Sequence, residues 1–455
     1  MKMKLATLAA GPIGGLVTAM LLHTQFKWEM CVTAGMVVWM LTWWLTEIVP
    51  MAVTALLPIL VLSSSQILSI DACYREYSDR FVFLFLGGFL LSQAFEKWAL
   101  HERLAHAIIL RVGHSPQAIL LGFMCTTYLI SMWISNTATA IMMMPLALGI
   151  SHTSKQTNHR FARSLVLGIA YSASIGGMAT LLGSPPNAAL AGILESQFQQ
   201  EISFFQWMKF GIPFSLLLLF ITFWILSYPI KKMTQRKMAT EEWIQHELSP
   251  MNRPQKLTLA IFVLTALLWV FQQPISSLLG PWFNDTFIAL LAAIFLFIPL
   301  PQSPLLTWED TEKLPWGILL MFGGGLTMAA GCKAAGWMDW VGHLFQDLSP
   351  QSFIFQLTIV LVSIILTALM SNLAMVAVFI PIIGQVALGL HIEPWILALP
   401  VGLAASCDFM FPMSTPPNAI AYSSGFVKSK EMFKIGFLVN TSAALLLLAL
   451  MQMMK

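Results

Sequence analysis

Two short polar clusters stand inside long apolar runs, and their residue types suit the holding of ions. Ser135-Asn136-Thr137 follows Ser131 and leads through apolar residues to Pro145. Ser371-Asn372-Leu373 follows Thr367 and Met370 and leads to Pro381. The clusters are offset by 236 residues, 371 minus 135, and the same offset maps Gly87-Gly88 onto Gly323-Gly324. Two further interruptions, Gly183-Ser184-Pro185-Pro186-Asn187 and Ser414-Thr415-Pro416-Pro417-Asn418, repeat each other at an offset of 231, 415 minus 184. Ser, Thr and Asn oxygens and free helix-end carbonyls suit a hard cation such as sodium, whereas amides at helix N-termini favour anionic groups. Asn carries both an acceptor and a donor, so Asn136 and Asn372 can each face a cation and a carboxylate. No Lys or Arg stands in these motifs, so an anion there depends on amide dipoles and a co-bound cation. One such cluster is explained as well by the capping of a buried helix end. Four matched interruptions predict a binding site for an anion taken up with sodium.

The elements that must carry these clusters follow from composition. Of 455 residues, 57% are hydrophobic and 10% charged, against about 25% charged in soluble domains. Apolar runs long enough to cross the bilayer recur from end to end. The chain is therefore predicted to be an all-α polytopic membrane protein, because backbone groups in lipid must pair internally. A net charge of +3, spread thinly, gives no basis for a nucleic-acid partner. The five cysteines show no paired spacing and read as small buried hydrophobes. The Met1–Lys4 start reads as the opening of a first membrane helix and not as a signal peptide.

Hydropathy predicts spans near 8–24, 30–47, 51–66 and 81–97, then an amphipathic interfacial segment at 99–112. The run 116–150 is too long for one crossing and has a polar centre, which predicts a re-entrant hairpin. A helix over 161–194 must break at its paired prolines, and a span at 205–228 follows. A polar, basic linker at 229–256, placed on the cytoplasmic side, divides the chain. The second half repeats the plan, with spans at 257–273, 284–300 and 315–333 and an interfacial segment at 336–347. It continues with a hairpin over 352–389, a broken helix over 393–427 and a last span at 433–452. The sum is about 11 transmembrane helices plus two re-entrant hairpins. If the first hairpin enters from the cytoplasm, most of the 24 Lys and Arg residues lie on that side, as the positive-inside rule asks. The N-terminus is then cytoplasmic, and the two repeats are inverted.

Ser-Asn-Thr at 135–137, Ser-Pro-Pro-Asn at 184–187, Ser-Asn-Leu at 371–373 and Thr-Pro-Pro-Asn at 415–418 resemble the paired motifs of the divalent anion/sodium symporter family. These are the dicarboxylate, citrate and sulfate transporters, and the resemblance covers nearly the whole chain. It implies a homodimer in the plasma membrane, with scaffold parts at 1–112 and 257–347 and mobile transport parts at 113–228 and 348–455, working as an elevator. It implies a first sodium site of Ser131, Ser135, Asn136 and Gly183, and a second of Thr367, Met370, Asn372 and Ser414. The substrate would lie against Ser135, Asn136, Thr137, Ser184, Ser371, Asn372, Leu373, Thr415 and Pro416. The expected activity is sodium-coupled symport of a di- or tricarboxylate such as succinate, malate, fumarate or citrate. Carboxylate exchange and sodium/sulfate symport are the alternatives. Sodium serves as coupling ion and no cofactor is expected. An enzyme is disfavoured, because no nucleophile–base pair or metal-ligand cluster recurs at membrane depth.

Two residues depart from the pattern. The family's second tip usually ends in Thr, and here Leu373 removes a hydroxyl, which is expected to alter substrate preference. Asp408 lies in the apolar run before the second paired-proline break. An intramembrane carboxylate is a functional candidate by default, with a salt bridge or a capped carboxyl at a helix kink as the plainer expectation.

Overall fold

A computed structural model describes residues 2–112, 115–153, 159–231, 249–299, 304–345 and 352–454. Most of the expected linker, 232–248, lies outside the described residues. Every regular element described is helical. Among the described residues, five helices are long and apolar enough to cross a membrane, namely Phe204–Ile230, Arg253–Val270, Trp316–Ala335, Asn372–Gly389 and Ser429–Met453. The count is six if one bent pair is a single span, and seven shorter apolar helices accompany them.

The helix expected over 51–66 is two pieces, Met51–Thr54 and Leu57–Ser64. Pro58 has no amide to offer the Thr54 carbonyl, so a continuous helix would lack a bond there. Short helices at Ile70–Tyr77 and Gln272–Leu279, with a 3₁₀ stretch at Trp308–Lys313, were outside the sequence reading.

The repeated glycines mark crossings between the two halves. Arg80–Lys97 packs on Asp285–Phe297, while Trp316–Ala335 packs on Met51–Thr54, Leu57–Ser64 and Ile70–Tyr77. A Cβ added at Gly87 would stand 2.7 Å from the Ala289 carbonyl carbon, and one at Gly324 would run into the Ala55 carbonyl. Real Cβ atoms do not approach backbone so closely, so only glycine allows each helix pair to meet.

The expected hairpins are helix pairs, Pro116–Ser131 with Asn136–Thr153 and Phe353–Leu369 with Asn372–Gly389. The broken helices are His159–Gly177 with Pro185–Phe198 and Pro394–Ala405 with Pro416–Ser423. Here the structure corrects a detail. The paired prolines do not sit in the gaps but open the next helix, and the non-helical stretches are 178–184 and 406–415. Proline suits the first helical turn, where its missing amide would be unpaired in any case. It holds the residue before it extended, Ser184 at φ −145° and ψ 134° and Thr415 at φ −137° and ψ 150°.

Each hairpin packs on the first piece of its own broken helix, and its second arm then crosses to the other half. Asn136–Thr153 lies on Pro416–Ser423, and Asn372–Gly389 lies on Pro185–Phe198. The helices bearing the four interruptions thereby pack into one body.

Candidate substrate and ion site

Ser135 and Ser371 end the two hairpin tips in the same way. The Ser135 Oγ accepts from the Ala138 amide at 3.3 Å, and the Ser371 Oγ from the Ala374 amide at 3.3 Å. Each serine satisfies one orphan donor of the helix that begins at the next residue. Asn136 and Asn372 are then the first helical residues, with their side chains turned back toward the preceding arm.

Behind the first tip, four oxygens converge. Ser131 Oγ is fully buried, donates to the Ala173 carbonyl at 2.6 Å and lies 2.8 Å from Asn136 Oδ1. The same terminal position of Asn136 is 3.1 Å from the Gly183 carbonyl and 3.0 Å from the Ala173 carbonyl. With oxygen there, Asn136 Oδ1 faces only acceptors, apart from the Ser131 hydroxyl. Turning the amide puts nitrogen in its place and satisfies the two carbonyls. The amide can thus close the cluster by itself or turn its oxygen toward a cation at the same place, without moving the backbone. Gly177 makes room for it, since an added Cβ there would be 2.9 Å from the Asn136 side-chain carbon.

The second tip repeats the arrangement with a threonine. Thr367 Oγ1 is buried, donates to the Ala405 carbonyl and lies 3.0 Å from Asn372 Oδ1. Thr367 stands for Ser131, Asn372 for Asn136 and Ala405 for Ala173. The Ser414 Oγ donates to the Phe411 carbonyl at 2.7 Å. No distance places Met370 in this cluster, and it packs with the partly buried apolar residues.

Each break is clasped by the asparagine of its paired-proline motif. Asn187 Nδ2 donates to the carbonyls of Gly177 and Thr180, both at 2.7 Å. Asn418 Nδ2 donates to those of Asp408 at 2.9 Å and Phe411 at 3.1 Å. The Gly183 amide donates to Thr180 Oγ1 at 3.0 Å, and the Thr180 hydroxyl reaches the Met132 carbonyl in the first hairpin loop. Sequence reasoning did not single out Thr180, Gly177 or the Ala173 and Ala405 carbonyls. A backbone carbonyl leaves no mark in residue type, and the only signal was the Gly176-Gly177 pair at the helix end.

Of the residues expected to border substrate, Thr415 Oγ1 accepts from the Asn418 amide at 3.4 Å, and Ser184 is buried with no such bond. Thr137 is half-buried, while Leu373, its equivalent, is buried at 8% exposure and belongs to the core. Pro416 is exposed. Trp133, in the first hairpin loop, joins an aromatic cluster with Phe204, Phe262 and Trp269 at centroid distances of 5.9, 5.2 and 6.1 Å. At the end of the first broken helix, Glu195 pairs with Arg80 at 2.6 Å and the Gln197 carbonyl accepts from Lys333. Trp133, Glu195 and Gln197 tie the tip and break elements to helices at 80–97, 253–270 and 316–335.

Residues 5–454 match the family model for the sodium:sulfate symporter transmembrane region. The chain is 36% identical over 471 aligned residues to the sodium-dependent dicarboxylate transporter SdcS of Staphylococcus aureus strain bovine RF122 / ET3-1, covering 98% of this chain and 90% of that one. The same identity and coverage hold for SdcS of strain NCTC 8325 / PS 47. Among solved structures, the fold is similar to the Alcanivorax borkumensis YdaH transporter, with a TM-score of 0.53 and 11% identity over 84% of this chain and 86% of that one. An all-helical body built around four matched interruptions, and a family match from end to end, lead to one assignment: the chain belongs to the sodium:sulfate symporter family of membrane transporters.

Proposed function

We propose that this protein is a sodium-coupled symporter of dicarboxylates, carrying succinate, malate, fumarate or a related di- or tricarboxylate across the plasma membrane. The observation that carries the reading is the oxygen cluster of Ser131, Asn136, Ala173 and Gly183, which recurs as Thr367, Asn372 and Ala405. Neutral oxygens facing one another in a buried place repel unless a donor or a cation stands among them. A sodium ion in each cluster draws the asparagine oxygens inward and leaves the tip amides free for an anion. Ser135, Asn136, Thr137, Ser184, Ser371, Asn372, Thr415 and Pro416 then border the substrate, with Leu373 closing one wall. Ser135 and Gly183 complete the first sodium site, and Met370 and Ser414 complete the second through backbone or hydroxyl oxygen.

In this reading the body at 113–228 and 348–455 moves as an elevator against a scaffold at 1–112 and 257–347. The halves are inverted repeats with about 11 crossings and two re-entrant hairpins, and the N-terminus is cytoplasmic. The protein works as a homodimer. The helix Arg253–Val270, with few buried residues and Leu264 58% exposed, offers an apolar face to lipid or to a second copy.

A thermal-shift screen of carboxylates and oxyanions, each in sodium and in potassium, tests the assignment. Stabilisation by succinate in sodium and not in potassium is expected. Stabilisation by sulfate alone would favour sulfate symport, the activity in the family's name. Succinate counterflow that proceeds equally without sodium would favour exchange and overturn the symport reading.

A further inference from the structure

The second break holds a buried carboxylate with no cation paired to it among the described residues. Asp408 is 1% exposed, neither side-chain oxygen meets good hydrogen-bond geometry with a partner, and the Ser414 hydroxyl is the polar group beside it. Among the described residues no ion pair includes it. Among the described residues, the helices packed around it bring no buried, unpaired Lys or Arg. Tyr171 gives its hydroxyl to the Phe409 carbonyl at 2.9 Å, and Asn440 Oδ1 accepts from the Phe409 amide at 3.3 Å. Arg163 is paired with Glu431, and Lys428, Lys430 and Lys434 are exposed.

The side chain is not needed to build the break. In the first break the equivalent position is Gly177, whose carbonyl accepts from Asn187 Nδ2 as the Asp408 carbonyl accepts from Asn418 Nδ2. The clasp uses backbone in both halves. At Gly177 that position borders the Asn136 amide in the first oxygen cluster. The second break thus adds a charge where the first has no side chain. Other oxygens in the same break are also buried without partners, Ser406 Oγ and Asn418 Oδ1, while Ser414 Oγ lies 3.5 Å from the Asp408 carbonyl. A buried carboxylate without a charged partner requires a bound cation or neutralisation, and a set of oxygens including one carboxylate is the ligand type of a hard cation.

We propose that Asp408 is the charged ligand of a further sodium site at the second break, with neutral oxygens of the same break, Asn418 Oδ1 among them, completing it. This rests on the sodium-symport reading and adds an ion to it. Two repeated clusters and this site bind three sodium ions, so one net positive charge accompanies each divalent succinate.

The test measures charge moved per labelled succinate in proteoliposomes, together with the Hill slope of uptake against sodium. Wild type is expected to move one charge per succinate. Asp408→Asn is expected to move none and to lose about one unit of Hill slope. If Asp408→Asn does not fold, the wild-type ratio and an Asp408→Glu variant, expected to keep the charge with altered sodium affinity, still decide the matter. Sodium-dependent but electroneutral wild-type uptake, or an unchanged slope and charge in Asp408→Asn, overturns this site and leaves symport standing. Uptake driven by a proton gradient in wild type and lost in Asp408→Asn, with the sodium slope intact, also overturns the sodium assignment. Sodium-independent wild-type uptake would overturn the symport reading itself.

Discussion

Replacing Ser131 with alanine separates the two roles open to the first oxygen cluster. The hydroxyl donates to the Ala173 carbonyl at 2.6 Å and touches the Asn136 side chain at 2.8 Å. Its loss costs the resting fold little, because the turned Asn136 amide reaches the Ala173 carbonyl at 3.0 Å and the Gly183 carbonyl at 3.1 Å. Its loss to a bound cation is not replaced. A hydrogen bond or ligand contact to a charged group contributes about 1.5–3 kcal/mol, which is roughly a 10- to 150-fold loss of sodium affinity. The assay is a sodium titration of the melting temperature without substrate, paired with the sodium dependence of succinate uptake. Ser131→Ala is expected to melt near wild type in potassium and to need at least tenfold more sodium in both measurements. Thr367→Val should behave alike through the second cluster. Sodium half-saturation within about twofold of wild type in both variants, with a lowered melting point in potassium, would refute the reasoning and leave both hydroxyls as plain helix-end clasps.

Three further outcomes are expected. Asn418→Ala removes the amide donor from the Asp408 and Phe411 carbonyls, leaving Phe411 the Ser414 hydroxyl at 2.7 Å and Asp408 only the long Ser414 contact at 3.5 Å; at about 1–3 kcal/mol for a buried group left unpaired, it should melt below wild type in potassium, and Asn187→Ala should do the same. A Cβ at Gly325 would lie 3.0 Å from that of Ala377, close to disulfide range at about 3.5–4.5 Å. Oxidising Gly325→Cys/Ala377→Cys should therefore stop transport reversibly, whereas full activity of the cross-linked protein would deny movement between these helices. Leu373→Thr restores a hydroxyl at the second tip and should change the succinate-to-citrate selectivity measured by competition; identical selectivity would show that this wall does not touch substrate.

The polar tips of the candidate site were more legible in the sequence than the packing around them, for physical reasons. Polar residues inside apolar runs are costly, so Ser135, Asn136, Ser371 and Asn372 stood out, and their repetition paired them before any coordinates, whereas Ser131 and Thr367 entered only through the family resemblance. Glycines at the helix crossings were visible as a repeat, yet their partners, Ala289 and Ala55, carry no signal in type and emerged only from packing. The paired prolines announced a break but not its length, since proline fixes the helix that follows and the residue before it, not where the preceding helix ends. That end is set by Gly177 in one half and by Ala405 in the other. Asp408 drew notice as a charge in an apolar run, but its lack of a charged partner could be learned only from its surroundings. Of the balances expected for it, no salt bridge is formed among the described residues, and the Ser414 hydroxyl is the polar group beside the carboxyl.

The most direct trial is accumulation of labelled succinate in proteoliposomes under an inward sodium gradient with no other driving force. The account predicts concentrative uptake that collapses when potassium replaces sodium and is strongly impaired, at moderate sodium, in both Ser131→Ala and Thr367→Val. Equal uptake in potassium, or full sodium-driven uptake with both clusters disabled together, would contradict it.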